Sequence, residues 1–433
     1  MAKLPPSVFC ARSMTLGAVL MLSCMYVGKY VIAPLFEDLS TPTEEQTINL
    51  VQSALSSDSI FTPDPQQLLL TGAEAMVDSL NDPYADFISP QEVRAFKEES
   101  TGRYTGIGVL LNSNWQIIYP LPNSDTAQQG VVTGDTILEI NGEDVAHLDI
   151  NESASLLTGR LGTSVHLKLR RVNSDIFECD ITRQRVPSIT ISDERIIDDE
   201  HGIAHLSVKS FASTTPDELT AALQRLDALG MKALILDLRF NLGGQLNDAI
   251  SLVSHFLQGE VVCRLRPHNG EEYLKYADLG LSTHADLPLI VLVNELSASG
   301  AEVVAAALRD NKRAKLMGVR TYGKGVFQKV LSFRNPNFAV KFTAGYYLTP
   351  NGDMIESYIG DDQQARGLVP DFLLDKQSDA TSSTIKAWAN RARVPAIYAA
   401  AVAELFPEYV QLEPPKDSWL DAAAKQLISE INQ

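Results

Sequence analysis

Two short apolar runs constrain this chain most. Ala233-Leu-Ile-Leu-Asp237 and Leu287-Pro-Leu-Ile-Val-Leu-Val293 have too few residues for helices, and neither alternates with polar residues. A strand that presents apolar side chains to both sides is buried on both sides, as in parallel sheets flanked by helices. Each run is followed by glycine or small residues and then by a helical stretch, at 246–257 and 302–308. The order strand, loop, helix predicts a mixed α/β core over 187–372, with a sheet covered on both faces. Sites in such sheets gather at the carboxyl ends of the strands. The loops 239–244, 294–300 and 321–325 are therefore where chemistry is expected.

The flanks have a different character. Residues 39–100 read as helical, with Ile48, Leu50, Val51 and Leu55, then Leu68, Leu69, Leu70, Ala73, Met76, Val77 and Leu80, recurring at helical spacing. Asn81-Asp-Pro83 breaks that pattern. From 101 to 186 the chain reads as a small domain of short strands and glycine turns. Arg103 to Leu111 is one strand candidate, and Asp135 to Ile140 alternates and ends at the hairpin signal Asn141-Gly142. Residues 373–433 read as helical. They suit covering the core, forming a homo-oligomer or meeting an adaptor protein.

The first 38 residues read as an address. Lys3 and Arg12 precede an uncharged run, 13–28, and Lys29 separates it from a second apolar stretch, 30–36. Positive charge ahead of an apolar run keeps the N-terminus in the cytoplasm and sends the remainder across the membrane. No small-x-small cleavage site is well formed, so the expectation is an uncleaved signal anchor, with a cleaved signal peptide as the alternative; Ser23-Cys24 weakly resembles a lipidation site. The protein is then expected in the cell envelope, on the periplasmic side of the inner membrane.

Charge and composition narrow the chemistry. Of 433 residues, 36 are Lys or Arg and 54 are Asp or Glu, a formal net charge of −18. A nucleic-acid partner is excluded on that balance, because phosphate binding needs a basic face. Four cysteines, none in a CxxC pattern, and scattered histidines give neither a disulfide framework nor a metal site. No cofactor and no metal are expected.

Three segments can carry a reaction. In Asn294-Glu-Leu-Ser-Ala-Ser-Gly-Ala-Glu302, Ser299 stands at a strand-to-helix turn, where free backbone N–H groups can stabilise an oxyanion. Ser299 and Glu302 also fit a capping box, so a structural cap and a nucleophile both remain open. In Gly318-Val-Arg-Thr-Tyr-Gly-Lys-Gly-Val-Phe-Gln328, Lys324 lies between glycines. A lysine acts as a general base only when burial lowers its pKa from about 10.4 towards 7–8. Val319, Val326 and Phe327 are candidates for the apolar wall, and Gln328 can orient the amine. Asp237-Leu-Arg-Phe-Asn-Leu-Gly-Gly244 offers glycine amides after a buried strand, or simply a tight turn.

Taken together, Asp237-Leu-Arg-x-Asn-x-Gly-Gly244, Val293-Asn294-x-x-Ser-Ala-Ser299-x-x-Glu302, Arg313-Ala314 and Gly318-x-x-Thr-Tyr-Gly-Lys324-Gly-x-x-Gln328 resemble the carboxy-terminal processing proteases. Thr349-Pro350-x-Gly352 and Gly367-Leu-Val-Pro-Asp371 are similar to that family's downstream signature, and the likeness runs with gaps from about 45 to 372. The resemblance implies that Ser299 is the nucleophile, Lys324 the general base and Gln328 its companion. It further implies oxyanion donors at Gly300 and Gly243. Gly300-Ala301 departs from the family's usual Ala-Ser, which leaves the amide in place.

The small domain resembles the family's PDZ domain. Gly106-Ile107-Gly108-Val109 matches the carboxylate-binding loop, Ala127-x-x-Gly130-Val131-x-x-Gly134-Asp135-x-Ile137-x-x-Ile140-Asn-Gly142 the following turn and strand, and Gly159-Arg-Leu-Gly162-Thr163 a later loop. Loop amides of this kind capture a terminal carboxylate, and the sheet edge adds the peptide as a strand. Relatives often carry arginine where this chain has Thr158, with Arg160 nearby. The expectation is a serine endopeptidase acting on proteins or peptides with free C-terminal tails. A catalytically silent or dormant PDZ adaptor is the competing reading, and a histidine-dependent hydrolase a third.

Overall fold

The structure, a computed structural model, describes residues 43–432 apart from 62, 102, 149–155, 188, 358–366, 390, 392–393 and 410–412. The chain divides into two compact units, before and after Met76. The first contains α1 (Glu44–Ser57), whose Thr43 and Gln46 form a capping box, and most of α2 (Pro65–Asp78). The apolar N-terminal segment expected as an anchor lies outside the described residues. Among the described residues no helix is long and apolar enough to cross a membrane.

The second unit opens with a departure from the helical expectation for 39–100. Asp86–Ile88 is a strand, β1, paired antiparallel with the long strand at 337–348. Its Ile88 buries against Val93 and Ala339, a long-range apolar contact that outweighs local helical tendency. Helix α3 (Val93–Thr101) follows.

The small domain is built from β2 (Arg103–Gly106), β3 (Val109–Leu111), β4 (Ile117–Pro120), α4 (Asp125–Gln128), β5 (Thr136–Ile140), β6 (Glu143–Asp144), β7 (Ser164–Arg170), β8 (Ile176–Thr182) and β9 (Gln184–Pro187). The single strand expected over 103–111 is two, because the chain turns at Ile107-Gly108 and sends β2 to β9 and β3 to β4. Asn141-Gly142 does make the turn between β5 and β6. The alternating side chains of β5 and β7 place Ile137, Ile140, Val165, Leu167 and Leu169 in one apolar cluster with Ile117 and Ile181.

The core begins with β10 (Ile191–Asp198), β11 (Ile203–Val208), α5 (Thr215–Ala228), β12 (Ala233–Asp237) and α6 (Leu246–Ser254). It continues through β13 (Val261–Pro267), β14 (Tyr273–Tyr276), β15 (Leu289–Val293), α7 (Gly300–Asp310), β16 (Lys315–Gly318), β17 (Val326–Arg334), β18 (Asn337–Leu348) and β19 (Phe372–Leu373). The C-terminal part adds α8 (Asp379–Ala389), α9 (Ala399–Leu405) and α10 (Ser418–Ile431). The main sheet has the order β10-β11-β12-β15-β16-β19, parallel except for β10. Every residue of β12 and β15 is buried, as the two apolar runs require. Leu219, Leu252 and Val304 from α5, α6 and α7 cover one face, and Leu420, Ala423 and Leu427 from α10 cover the other. A second sheet joins β1, β18, β13 and β14, with β17 on β18.

Register then fixes where a site can form. Asp237 pairs with Leu292, and Val293 with Gly318, so β12, β15 and β16 end side by side. The three loops singled out from the sequence leave from that one edge. On the small domain, α9 and the residue after it seat Val402 and Phe406 on Ile118 and Tyr119. The Tyr119 and Tyr398 rings stack there, 5.8 Å between centroids.

Candidate active site

The three loops are laced into one body. The Ala298 N–H donates to the Asn241 carbonyl (2.9 Å), the Ser297 hydroxyl to the Leu238 carbonyl (2.8 Å), and the Tyr322 N–H to the Ser297 carbonyl (3.1 Å). Asn294 Oδ1 accepts from the Phe240 and Leu296 amides. Buried loop backbone needs such partners, and here each loop supplies them to the next.

Ser299 sits immediately before α7 with φ 55° and ψ −117°. That region is costly for a residue with a Cβ, and it recurs where a strand-to-helix turn thrusts a nucleophile forward. Gly243 packs directly under it. A Cβ on Gly243 would lie 2.8 Å from Ser299 Cβ and 3.0 Å from the Gly300 nitrogen, and the glycine has φ 100°. The two amides expected as oxyanion donors therefore flank Ser299. They differ in state, because the Gly243 N–H already donates to Asn241 Oδ1 (2.8 Å).

Glu302 ties the serine to the lysine. Its side chain is fully buried. Oε2 accepts from the amides of Ser299 (3.0 Å) and Lys324 (2.8 Å). Oε1 accepts from the Thr321 hydroxyl (2.6 Å) and the Gly323 amide (2.7 Å). One carboxylate oxygen thus holds both candidate residues, whose nitrogens lie no further apart than the two bonds combined. Burial pushes this carboxyl up to about 7, against four donors that favour its charged form. The glycines around Lys324 are dictated by packing. A Cβ on Gly323 would meet Ser357 Oγ at 2.1 Å, and one on Gly325 the Glu356 nitrogen at 2.3 Å.

The Lys324 side chain is half-buried, and burial holds its amine below the ordinary lysine range. Lys341 acts in the same direction, while Glu356 and Asp82 oppose it. The amine lies 4.6 Å from the centre of the Tyr84 ring. No hydrogen bond joins it to the Ser299 hydroxyl among the described residues. Gln328 follows on β17 at a bulge opposite Thr343, and its Nε2 is buried without a partner among the described residues.

Behind the 237–244 loop runs a chain of buried charges. Arg239 donates to both oxygens of Asp237 and to Asp417 Oδ2 (2.6 Å). His205 Nε2 meets Asp237 (3.1 Å) and Nδ1 meets Asp193 (3.1 Å). The Arg239 guanidinium and the His205 imidazole hold Asp237 well below the usual carboxylate range. The two carboxylates raise His205 to about 9, against the opposing effect of its burial. Both ring nitrogens of His205 are thus engaged with carboxylates, and it is not placed to serve Ser299 as a base. His255 is also buried, at the end of α6 against the Thr283 hydroxyl (2.9 Å).

In the small domain, Gly106 ends β2, Val109 opens β3, and Ile107 is buried between them. The Ile107 carbonyl accepts from the Thr126 hydroxyl and the Gly108 carbonyl from the Leu121 amide (2.8 Å). The guanidinium that packs against Gly159 belongs to Arg183, not Arg160: a Cβ on Gly159 would lie 2.7 Å from Arg183 Nε. Cys179 and Cys263 are both free thiols. No group of His, Cys, Asp and Glu side chains suited to a metal occurs among the described residues.

The sequence reading missed Tyr84 and Asp417; it quoted Asn241 and Glu302 within motifs but gave Asn241 no role and Glu302 only that of a cap. For Glu302 a signal existed: a carboxylate three residues after a turn serine, inside a helix that is apolar on every side.

Comparison with known proteins places the chain in a family. Residues 202–373 match the peptidase family S41, and residues 117–171 a PDZ domain. The chain is similar to the carboxy-terminal processing protease CtpA of Bacillus subtilis (strain 168), 30% identical over 75% of this chain and 69% of that protein. It is also similar to a probable CtpA-like serine protease of Staphylococcus aureus (strain COL), 26% identical over 84% of this chain and 72% of that one. Among solved structures it resembles a photosystem II D1 C-terminal processing protease, 23% identical with a TM-score of 0.45, over 77% of this chain and 94% of the other. The chain therefore belongs to the carboxy-terminal processing proteases of peptidase family S41, serine-type peptidases, and it carries a PDZ domain.

Proposed function

We propose that this protein is an endopeptidase that cleaves with a Ser299/Lys324 dyad and selects protein tails through its PDZ domain. The observation that carries the dyad is the shared Glu302 oxygen, which fixes the Ser299 and Lys324 backbones to one point. The neutral Lys324 amine takes the hydroxyl proton as Ser299 Oγ bonds to the scissile carbonyl carbon. The proton then passes to the leaving amine, and water hydrolyses the acyl-enzyme. The Gly300 N–H meets the developing oxyanion. Gly243 joins it when its amide leaves Asn241 for that stronger, charged acceptor. Gln328 orients the amine, and its unpartnered Nε2 suits a side chain held for a state other than the resting one. Residues 101–186 act as the tail reader, with Gly106, Ile107, Gly108 and Val109 at the terminal carboxylate, and 187–372 as the cutting core.

Ser299→Ala and Lys324→Ala should each lower cleavage of a tail peptide by at least a hundredfold with the thermal midpoint retained. A serine-directed phosphonate should label Ser299, read by mass spectrometry of the digested protein. Strong cleavage by purified Ser299→Ala, or labelling elsewhere, would remove Ser299 from the role.

We also propose that the first 38 residues anchor the protein in the inner membrane, with the peptidase on the periplasmic side. Lys3 and Arg12 ahead of the apolar run support this. The full chain should stay with membranes through a carbonate wash; recovery in the soluble fraction would count against the anchor.

A further inference from the structure

The Lys324 amine has a neighbour that the dyad does not use. Its backbone N–H is held at the nucleophile by Glu302, yet its Nζ lies over the Tyr84 ring, 4.6 Å from the centre. A cation within about 6 Å of an aromatic face is held by the ring quadrupole. The segment that carries the ring is itself held in place. The Tyr84 N–H donates to Asp82 Oδ1 (2.9 Å), and Asp82 accepts from the Thr343 amide (2.8 Å) and hydroxyl (3.0 Å) on β18. Strand β18 pairs with β17, which leaves directly from the lysine loop. The lysine backbone and the segment that carries the ring are therefore both anchored, and the lysine side chain is the part left to move.

We propose that Tyr84 is a positioning residue for the base: its ring stores the protonated Lys324 amine in the resting enzyme and releases it to Ser299 when a peptide enters the cleft. The proposal rests on the reading of Ser299 and Lys324 as the dyad. On leaving the ring the ammonium gives its proton to water. The neutral amine then has the lone pair that takes the proton from Ser299. The other charged groups around Lys324 are Asp82 on the Tyr84 segment, Lys341 on β18, Glu356 beside Gly325, and Glu302 at its own amide. A substitution at Tyr84 leaves all four in the chain.

The test is the dependence of kcat/KM on pH in the full chain, which reports the ionisation of the free enzyme. Tyr84→Leu keeps an apolar wall and removes the ring, so the ammonium loses a stabilising partner. The rising limb should move to lower pH by roughly half a unit to one unit, making activity about three- to tenfold higher on the acid side of the limb. Tyr84→Phe keeps the ring and should retain the wild-type limb. A Tyr84→Leu limb that coincides with wild type overturns the proposal, as does a Tyr84→Phe limb that moves with it. A loss of activity from damaged packing alone would lower the curve without moving it.

Carbon-13 lysine spectra of the otherwise unaltered protein give a second reading, independent of whether the leucine variant folds. One ε-methylene signal, assigned by its loss in Lys324→Met, should be displaced upfield by the ring and should return on phosphonylation of Ser299. A spectrum with no displaced lysine overturns the storage. Failure of the dyad reads differently: there Lys324→Met would still cleave. An inactive Lys324→Met with an unmoved Tyr84→Leu limb overturns only the role of the ring.

Discussion

His205 lies on a central strand, 2% exposed, with a carboxylate on each ring nitrogen. Its folded pKa is raised to about 9 from an ordinary 6.5. The stability this contributes is fully present below pH 6.5 and is lost as pH rises through about 9. A displacement of that size is worth about 3 kcal/mol. The thermal midpoint should therefore fall by several degrees between pH 6.5 and 9, and His205→Gln should flatten that dependence while lowering the midpoint throughout. A wild-type midpoint that is level across the interval would show that the imidazole carries no extra proton. Glu302 is the opposite kind of residue. It is acidic, yet burial keeps its carboxyl near 7, so between about 4.5 and 7 the folded chain holds a proton the unfolded chain releases. Its cost rises with pH, and four donors keep it in place.

At the level of elements, what the sequence revealed follows from the range of the forces involved. Strands β12 and β15 were legible because burial on both faces leaves an uninterrupted apolar run. The Asn141-Gly142 turn was legible because its positive φ values are chemically selective. Ser299 and Lys324 stood out as candidates because their motifs are local. Strand β1 was not, since its only reason to extend is a partner strand at 337–348. The division of 103–111 into β2 and β3 was hidden for the same reason, with β9 and β4 drawing the halves apart. The cleft's long-range contacts escaped altogether. Tyr84 reaches Lys324 from 240 residues away in the sequence, and no periodicity carries such a contact. Glu302 misled in a different way, because a cap and a hub use the same spacing.

At the scale of the molecule, the C-terminal segment touches both working parts. Helix α9 clasps the small domain through Val402 and Phe406. Asp417 caps α10 through the Trp419 amide and reaches Arg239 behind the glycine loop. Among the described residues Arg239 already has one buried nitrogen, Nη1, without a partner, so removing Asp417 leaves a half-paired guanidinium in the core. Asp417→Ala should cost about 3 kcal/mol in urea unfolding and lower kcat more than it raises KM, since the loop beside Ser299 loses its support. An unchanged urea midpoint would show that the pair does not brace the loop.

The position of that brace in the chain also sets an order of assembly. The ribosome makes the serine and the lysine before the aspartate that steadies their surroundings and before the helix that closes the sheet's second face. A nascent chain that has not yet released residues 417–431 has Ser299 and Lys324 and an unfinished wall around them. A chain ended at Pro414 should accordingly lack that wall and leave a tail peptide uncut in a digestion assay.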